Sequence, residues 1–167
     1  MSSEKIKILI KNLEDDNWLV RYNAARIMGD IDAEEAVQEL IKALKTDPNR
    51  DVRHGIVQAL GKIDLQEAIP SLIDAMKNDT SMIVRFTAAR ALARMGANSS
   101  LEEMKIQSNK ETNNESIFWF NISIARLEKN EKCDAVKKLK DLKKDGKLTE
   151  KQSTFLDKFL KSLFTFR

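Results

Sequence analysis

A segment of fourteen residues recurs along the chain at a fixed spacing of 32 residues. Three copies align without a gap: LVRYNAARIMGDID from Leu19, DVRHGIVQALGKID from Asp51 and IVRFTAARALARMG from Ile83. A weaker fourth copy, IFWFNISIARLEKN, follows in the same register, with Ser116 and Ile117 in place of the Val-Arg pair. Repetition at this period is typical of solenoids, which stack one supersecondary unit several times.

A second apolar segment precedes each of the first three copies: KILIKNL, AVQELIKAL and AIPSLIDAM. The chain holds only five Gly and two Pro, which favours helices over tight turns. The unit is therefore a helical hairpin, and a single hairpin cannot bury its apolar face alone. We predict an all-α fold, an αα-superhelix (solenoid) of about four helical hairpins, at about 4–32, 33–64, 65–97 and 98–130.

The remaining segment, 131–167, predicts two further helices that cap the solenoid, so that residues 1–167 form a single domain. The last helix carries a strong apolar stripe from Phe155 to Leu163. Two alternatives to a cap stay open, an amphipathic membrane contact and a homodimer through the C-terminal helix. Phe164 and Phe166 near the terminus keep the homodimer open.

Composition excludes several classes of site. The one cysteine, Cys133, cannot form an intramolecular disulfide, and the chain has no Cys/His cluster for zinc. The N-terminus lacks the apolar run of a signal peptide, and no segment is long enough to span a membrane. The net charge of +3 is too small to indicate nucleic-acid binding by itself. We expect a cytoplasmic protein without metal or cofactor.

Three local features add expectations. Asp32 with Glu35, and Asp64 with Glu67, have the spacing of capping boxes. Pro70 falls inside the first helix of the third hairpin and should kink or restart that helix. The polar segment QSNKETNNES, residues 107–116, predicts a long mobile connection. Trp119, which follows it, is expected to be a core plug, with a binding hot spot as the less favoured alternative.

The repeated pattern resembles that of HEAT-like repeats, in particular the short form named after phycobilisome lyase subunits. The resemblance consists of an Asp in the turn, Val-Arg at the start of the second helix and then A-x-A-L-G-x-I. It is carried by Asp47, Val52, Arg53, Ala59, Leu60, Gly61 and Ile63. It covers residues 4–97 well and 98–130 loosely, and it implies a fold more than an activity.

The resemblance assigns structural roles to the repeated arginines. In HEAT-like repeats this arginine reaches a turn carboxylate of a neighbouring repeat, which here implies Arg21, Arg53 and Arg85 with Asp47 and Asp79 among the acceptors. Gly29 and Gly61 lie late in the second helices, where glycine is unfavourable. We expect these glycines to let the first helix of the next repeat approach closely.

His54 is the only histidine, and VRHG resembles the VRHE of the HEAT-like enzyme deoxyhypusine hydroxylase, whose His-Glu pairs hold iron. Gly55 replaces the glutamate here, and the matching dipeptides elsewhere lack every other ligand. No nucleophile stands at recognisable spacing to His54 either. The sequence therefore gives no support to an enzyme.

Helix geometry predicts which side chains point away from the core. If Ala24 and Ile27 are buried, Tyr22 and Arg26 lie on the far side of the helix, roughly 200° around. The hydroxylase resemblance places this side on the concave surface. The predicted partner-binding residues are Tyr22, Arg26, His54, Gln58, Lys62, Phe86, Arg90, Arg94, Phe118 and Arg126. Four of them would form an exposed aromatic row, unless Phe86 and Phe118 tuck against neighbouring helices.

These observations favour a non-catalytic scaffold or adaptor that binds a protein or peptide, acidic in character, on its concave face. Nucleic-acid binding through the same arginines and aromatics is the alternative. An accessory lyase subunit, which the family name implies, is a third hypothesis. We expect no stable membrane association.

Overall fold

The computed structural model describes residues 3–164, and all regular structure among them is helical. The helices are α1 (Ser3–Asn12), α2 (Trp18–Asp30), α3 (Val37–Thr46), α4 (Arg50–Ile63), α5 (Ile69–Asn78), α6 (Met82–Arg94), α7 (Leu101–Lys110), α8 (Asn114–Glu128), α9 (Asp134–Lys144) and α10 (Glu150–Phe164). Short 3-10 turns precede α3, α5 and α7.

Four antiparallel hairpins are stacked in chain order, and each consists of an odd-numbered and the following even-numbered helix from α1 to α8. The second helices, α2, α4, α6 and α8, pack against each other extensively, whereas α3, α5 and α7 touch their neighbours in the first row more sparsely. The closer row lies on the inside of the bend, so the second helices form the concave face. The predicted all-α superhelix is confirmed.

The core runs without interruption along the stack. It lies between the two rows of helices and is built from the apolar side chains that recur at the repeat period. Leu40, Ile56, Leu60, Leu72 and Leu92 are fully buried. Because each hairpin contributes to the cover of the next, stability is shared between neighbours and does not belong to any single hairpin.

The last two helices continue from the fourth hairpin. Helix α9 packs on α8. Helix α10 buries Leu156 and Phe159 and places Phe155 against the rings of Phe118 and Trp119 on α8. Among the described residues no helix combines the length and apolar character needed to cross a membrane. Phe166 of the expected dimer contact lies outside the described residues.

Local expectations were wrong in two places and right in part in a third. Asp32 and Asp64 do not cap the following helices, since both adopt a left-handed backbone conformation in the turn after the preceding helix. Pro70 lies in the first turn of α5, where its missing N–H costs nothing, so the α-helix starts there after a 3-10 turn and the proline is not in its interior. Residues 107–110 complete α7, and α8 begins at Asn114, so the connection is short.

Candidate functional site

The arginines of the Val-Arg pairs form a ladder along one edge of the stack. Arg21 donates through Nε and Nη2 to the carboxylate of Asp47, with an Nε···Oδ2 distance of 2.7 Å, and Arg53 makes the same pair with Asp79. Arg85 completes the series with Glu111, also at 2.7 Å.

Each ladder arginine also donates through Nη1 to two backbone carbonyl groups in the turn of its own hairpin. Its guanidinium therefore fixes the position of that turn as well as joining the next hairpin. The bidentate geometry uses the fork of donors that distinguishes arginine from lysine. Each of its three nitrogen atoms donates to a group within the chain, so the ladder is part of the scaffold.

The two helical glycines allow second helices to approach each other. A Cβ atom on Gly29 would lie 2.6 Å from Cα of Ala59, and one on Gly61 would lie 2.7 Å from Cβ of Ala91. Ala59 lies on α4 and Ala91 on α6. The close approach thus joins neighbouring second helices, and the expected contact with the next first helix is wrong.

The exposed aromatic row predicted on the concave face does not exist. Phe86 and Phe118 are buried, and Phe86 stacks on Trp119 with 6.4 Å between ring centroids. Their assignment as partner-binding residues is therefore corrected, because Trp119 of α8 packs on Phe86 and Phe155 of α10 packs on Phe118. Tyr22 is half-buried with its ring against Gly55, where a Cβ would lie 2.8 Å away.

His54 is half-buried and accepts a hydrogen bond at Nε2 from the side-chain amide of Gln58, 3.1 Å away. Burial lowers the pKa of His54 below its usual 6.5, and the positive charge of Arg90 lowers it too, although Asp51 opposes them. The imidazole is therefore neutral at physiological pH. Among the described residues, no three His, Cys, Asp or Glu side chains are placed to hold a metal ion.

The main concave feature is a groove of about 490 Å³ between α4, α6, α8 and the start of α10. Its apolar surface includes Ala91, Trp119, Ile122 and Phe155. Its polar rim consists of side chains from the predicted set: Gln58, Lys62, Arg90, Arg94 and Arg126. The groove is thus apolar at its floor and basic at its rim.

The three rim arginines have no ion-pair partner among the described residues. Within residues 3–164 no carboxylate forms an ion pair with Arg90, Arg94 or Arg126. Lys62 differs, since it pairs with Asp30, which also pairs with Arg26. Positive charge is therefore concentrated at the α6 and α8 side of the groove.

Arg90 lies over Trp119, with 4.5 Å between Cζ and the ring centroid. Although the residue as a whole is accessible to solvent, its guanidinium sits in the groove. This burial lowers its pKa, as does the neighbouring charge of Arg126, yet arginine remains protonated at neutral pH. The cation–π contact holds the guanidinium over the indole ring without neutralising its charge.

Sequence reasoning missed Trp119 and Phe155 as groove residues. Trp119 is half-buried, with its ring 5.4 Å from that of Phe155, and both line the groove. Trp119 was expected to be a core plug, and Phe155 part of a cap. The repeat alignment contains a signal for neither, because the rings meet only where α10 folds back onto α8.

Comparison with known proteins agrees with this architecture. A sequence profile of HEAT repeats matches residues 6–93 and 37–114. A solved structure, the complex of CpcE and CpcF of phycocyanin lyase from Nostoc sp. PCC7120, is similar with a TM-score of 0.53 at 18% sequence identity. The similarity covers 75% of this chain and 65% of that chain.

The comparison with curated proteins gave no match. The likeness to the lyase chain is a likeness of fold, because its sequence identity is low. The repeat profile, in contrast, spans most of the four stacked hairpins. The ladder of arginines, the close glycine contacts and the profile match together place this chain in the HEAT-repeat family, as a helical-repeat scaffold.

Proposed function

We propose that the protein is a non-catalytic adaptor that binds a segment of a protein partner in its concave groove. The observation that carries the proposal is the set of three arginines without an ion-pair partner among residues 3–164, Arg90, Arg94 and Arg126, around an aromatic floor. Arginine and tryptophan are the residue types that most often dominate binding energy at protein interfaces. The groove therefore suits a segment with acidic and large apolar side chains.

Electrostatics supports an acidic partner. Free guanidinium groups favour carboxylates in bidentate geometry, and the partly desolvated position of Arg90 strengthens such a pair. The apolar floor supplies the nonspecific part of the binding energy. A neutral His54 adds no charge at physiological pH, so we expect binding to be insensitive to pH between 7 and 8.

The lack of a set of catalytic side chains in the groove supports a non-catalytic role. The groove-lining residues include no carboxylate, cysteine or histidine that could act as acid, base or nucleophile. Cys133 lines a separate depression between α7, α8 and α9, and burial raises the pKa of its thiol. An accessory lyase role like that named for CpcE and CpcF would thus depend on the partner for its chemistry.

Single-stranded nucleic acid is the second candidate, because Trp119 offers a partly exposed ring for base stacking beside three arginines. We rank it below a protein partner because the cluster of charge is short. A homodimer through α10 is disfavoured, since Leu156 and Phe159 are buried within their own chain.

Selection of random displayed peptides on the full chain tests the proposal. We expect enrichment of sequences that combine Asp or Glu with Leu, Phe or Trp. With a selected peptide carrying a fluorophore, anisotropy should show that Arg90→Gln and Arg126→Gln each weaken binding about tenfold, or about 1.4 kcal/mol. Arg50→Gln, an exposed arginine outside the groove, is the matched control and should have no effect.

Two outcomes would overturn the proposal. Selection without any acidic preference would remove the assigned partner chemistry. Tight binding of labelled oligothymidylate, falling steeply between 50 and 200 mM salt, together with no peptide enrichment, would assign the groove to nucleic acid.

A further inference from the structure

The N-terminal end of the stack exposes an apolar surface. Among the described residues, six large hydrophobic side chains are exposed, and four of them belong to the first hairpin. These are Ile8 with 53%, Trp18 with 43%, Leu19 with 46% and Ile27 with 37% of the residue's reference surface accessible. We call these four residues the N-terminal patch.

Repeat equivalence shows that two of these positions are interface positions elsewhere in the fold. Ile8 corresponds to Leu40 and Leu72, which are fully buried in later hairpins that each have a hairpin before them. Ile27, expected to be buried, corresponds to Ala59 and Ala91. Both alanines pack against a glycine of the preceding hairpin. In the first hairpin this neighbour is missing from the described residues.

Trp18 and Leu19 point to the same missing neighbour. Their equivalents in the third hairpin are Met82 and Ile83, which line a shallow depression together with Arg53 of the hairpin before. The start of the second helix of the third hairpin thus faces the arginine-bearing helix that precedes it. Large apolar residues at this place in the first hairpin extend the N-terminal patch toward such a helix.

The N-terminal end of the stack also carries a carboxylate, that of Asp15. In the ladder, Asp47 and Asp79 each accept a backbone N–H two residues later at 2.8 Å and an arginine from the hairpin before. Asp15 is the equivalent residue of the first hairpin and accepts the N–H of Asn17 at the same distance. Within residues 3–164 no cation pairs with the Asp15 side chain. Asp15 is thus a preformed acceptor without its arginine.

A second copy of this chain does not supply the missing arginine. At the other end of the stack Ile117 occupies the arginine position, and α9 packs on the last second helix, α8. Head-to-tail stacking therefore offers no donor to Asp15. Two N-terminal ends face to face offer Asp15 no free arginine either, because within residues 3–164 Arg21 pairs with Asp47 and Arg26 with Asp30. The occupant must be a different helical segment.

We propose that the N-terminal end docks the terminal helical hairpin of another helical-repeat polypeptide, whose second helix donates an arginine to Asp15 and covers the N-terminal patch. The proposal concerns a surface separate from the groove and does not depend on what the groove binds. The junctions already present in the stack define the geometry: an arginine about one repeat before Asp15, with apolar side chains beside it.

Extension of the chain by one repeat tests whether this end accepts such a hairpin. A copy of residues 33–64 placed directly before Met1 keeps the spacing of 32, so that the copied Arg53 reaches Asp15. We expect Tm to rise by at least about 3 °C. In a Trp119→Phe background, the emission of Trp18 should shift to the blue as its ring is covered.

A matched pair of variants separates specific docking from added helix. Replacement of the copied arginine by Gln, or Asp15→Asn in the extended chain, should each remove most of the gain in Tm, and the double change should cost no more than either alone. An added repeat that leaves Tm and Trp18 emission unchanged would overturn the proposal, as would a gain that is insensitive to both changes.

A photo-crosslinking amino acid at position 18, introduced into the full chain in its source cells, tests for the natural occupant. We expect adducts on an arginine-bearing helix of a helical-repeat protein, mapped by mass spectrometry, and at least fivefold fewer adducts with Asp15→Arg. The same label at Lys45, exposed on α3, is the control. Adducts no more frequent than at Lys45, adducts on a second copy of the chain, or adducts on a non-helical segment would each overturn the proposal.

Discussion

At the scale of single residues, glycine is used where two helices come too close for a side chain. Gly29 and Gly61 give up the higher helix propensity of alanine, worth about 1 kcal/mol each. In return, α2 packs closely at Gly29 against Ala59 of α4, and α4 packs closely at Gly61 against Ala91 of α6. The tight inner row on which the groove is built depends on these two positions.

Gly61→Ala tests this balance. The new Cβ would meet Cβ of Ala91 at 2.7 Å, so overpacking should outweigh the gain in helix propensity and lower the free energy of unfolding by about 1 kcal/mol. In an Ala91→Gly background the nearest remaining atom is Cα of residue 91 at 3.4 Å, and the same substitution should be neutral or stabilising. Urea unfolding of the four proteins measures the coupling. Equal effects in the two backgrounds would contradict the explanation.

Glu111 links stability to pH. Burial raises its pKa, but hydrogen bonds from Arg85 and Gln107 outweigh burial, so the pKa lies below the usual 4.5. A lowered pKa in the folded state means that the ionised carboxylate stabilises the fold fully above pH 4.5. This contribution is lost as the pH falls through the folded-state pKa.

We therefore expect Glu111→Gln to lower the free energy of unfolding by about 1–2 kcal/mol at pH 7. The difference from the unmodified chain should shrink as the pH falls below 4.5. Denaturant titrations at several pH values measure it. Glu131→Gln, at an exposed carboxylate, should show no such trend. A difference that stays constant down to pH 3 would show that ionisation of Glu111 is irrelevant.

At the scale of helices, three of the four second helices begin with an asparagine cap, and the fourth begins with a serine. Asn17, Asn49 and Asn113 precede α2, α4 and α8, and each side chain accepts a backbone N–H of the first turn. Ser81 occupies this place before α6, with nearly the same backbone angles as Asn49, but makes no side-chain cap hydrogen bond. One N-terminus in the row is thus left less well satisfied.

Ser81→Asn should restore the missing cap and raise the free energy of unfolding by about 0.5–1 kcal/mol. The reciprocal change, Asn49→Ser, should lower it by a similar amount, since a serine at these backbone angles does not reach the N–H groups in α6. Thermal and urea unfolding measure both variants. If Ser81→Asn destabilised the chain, the cap geometry of α4 would not transfer to α6.

At the scale of the whole molecule, the repeat predicted the stacked hairpins but not every contact within and beyond them. The fourteen-residue segment and the apolar segment before it were enough to predict the hairpins, because similar units pack in similar ways. The partners of Gly29 and Gly61 were assigned to the wrong helix, because periodicity does not say which neighbouring helix a residue faces. Phe86 shares its register with the half-buried Tyr22, yet it is buried and packs against Trp119 of α8. Contacts such as that of Phe155 with Trp119 join segments outside the repeat pattern, so local periodicity holds no information about them.

The direction of the arginine ladder also has a consequence during synthesis. Each arginine finds its carboxylate 26 residues later in the chain, never earlier. On a translating ribosome, every emerging hairpin would thus hold one guanidinium unsatisfied until the next turn leaves the exit tunnel. Assembly should proceed from the N-terminus in steps of one repeat, through contacts of short sequence separation. Ile117 ends this series, because the fourth hairpin has no arginine at this position that needs a carboxylate from a later hairpin.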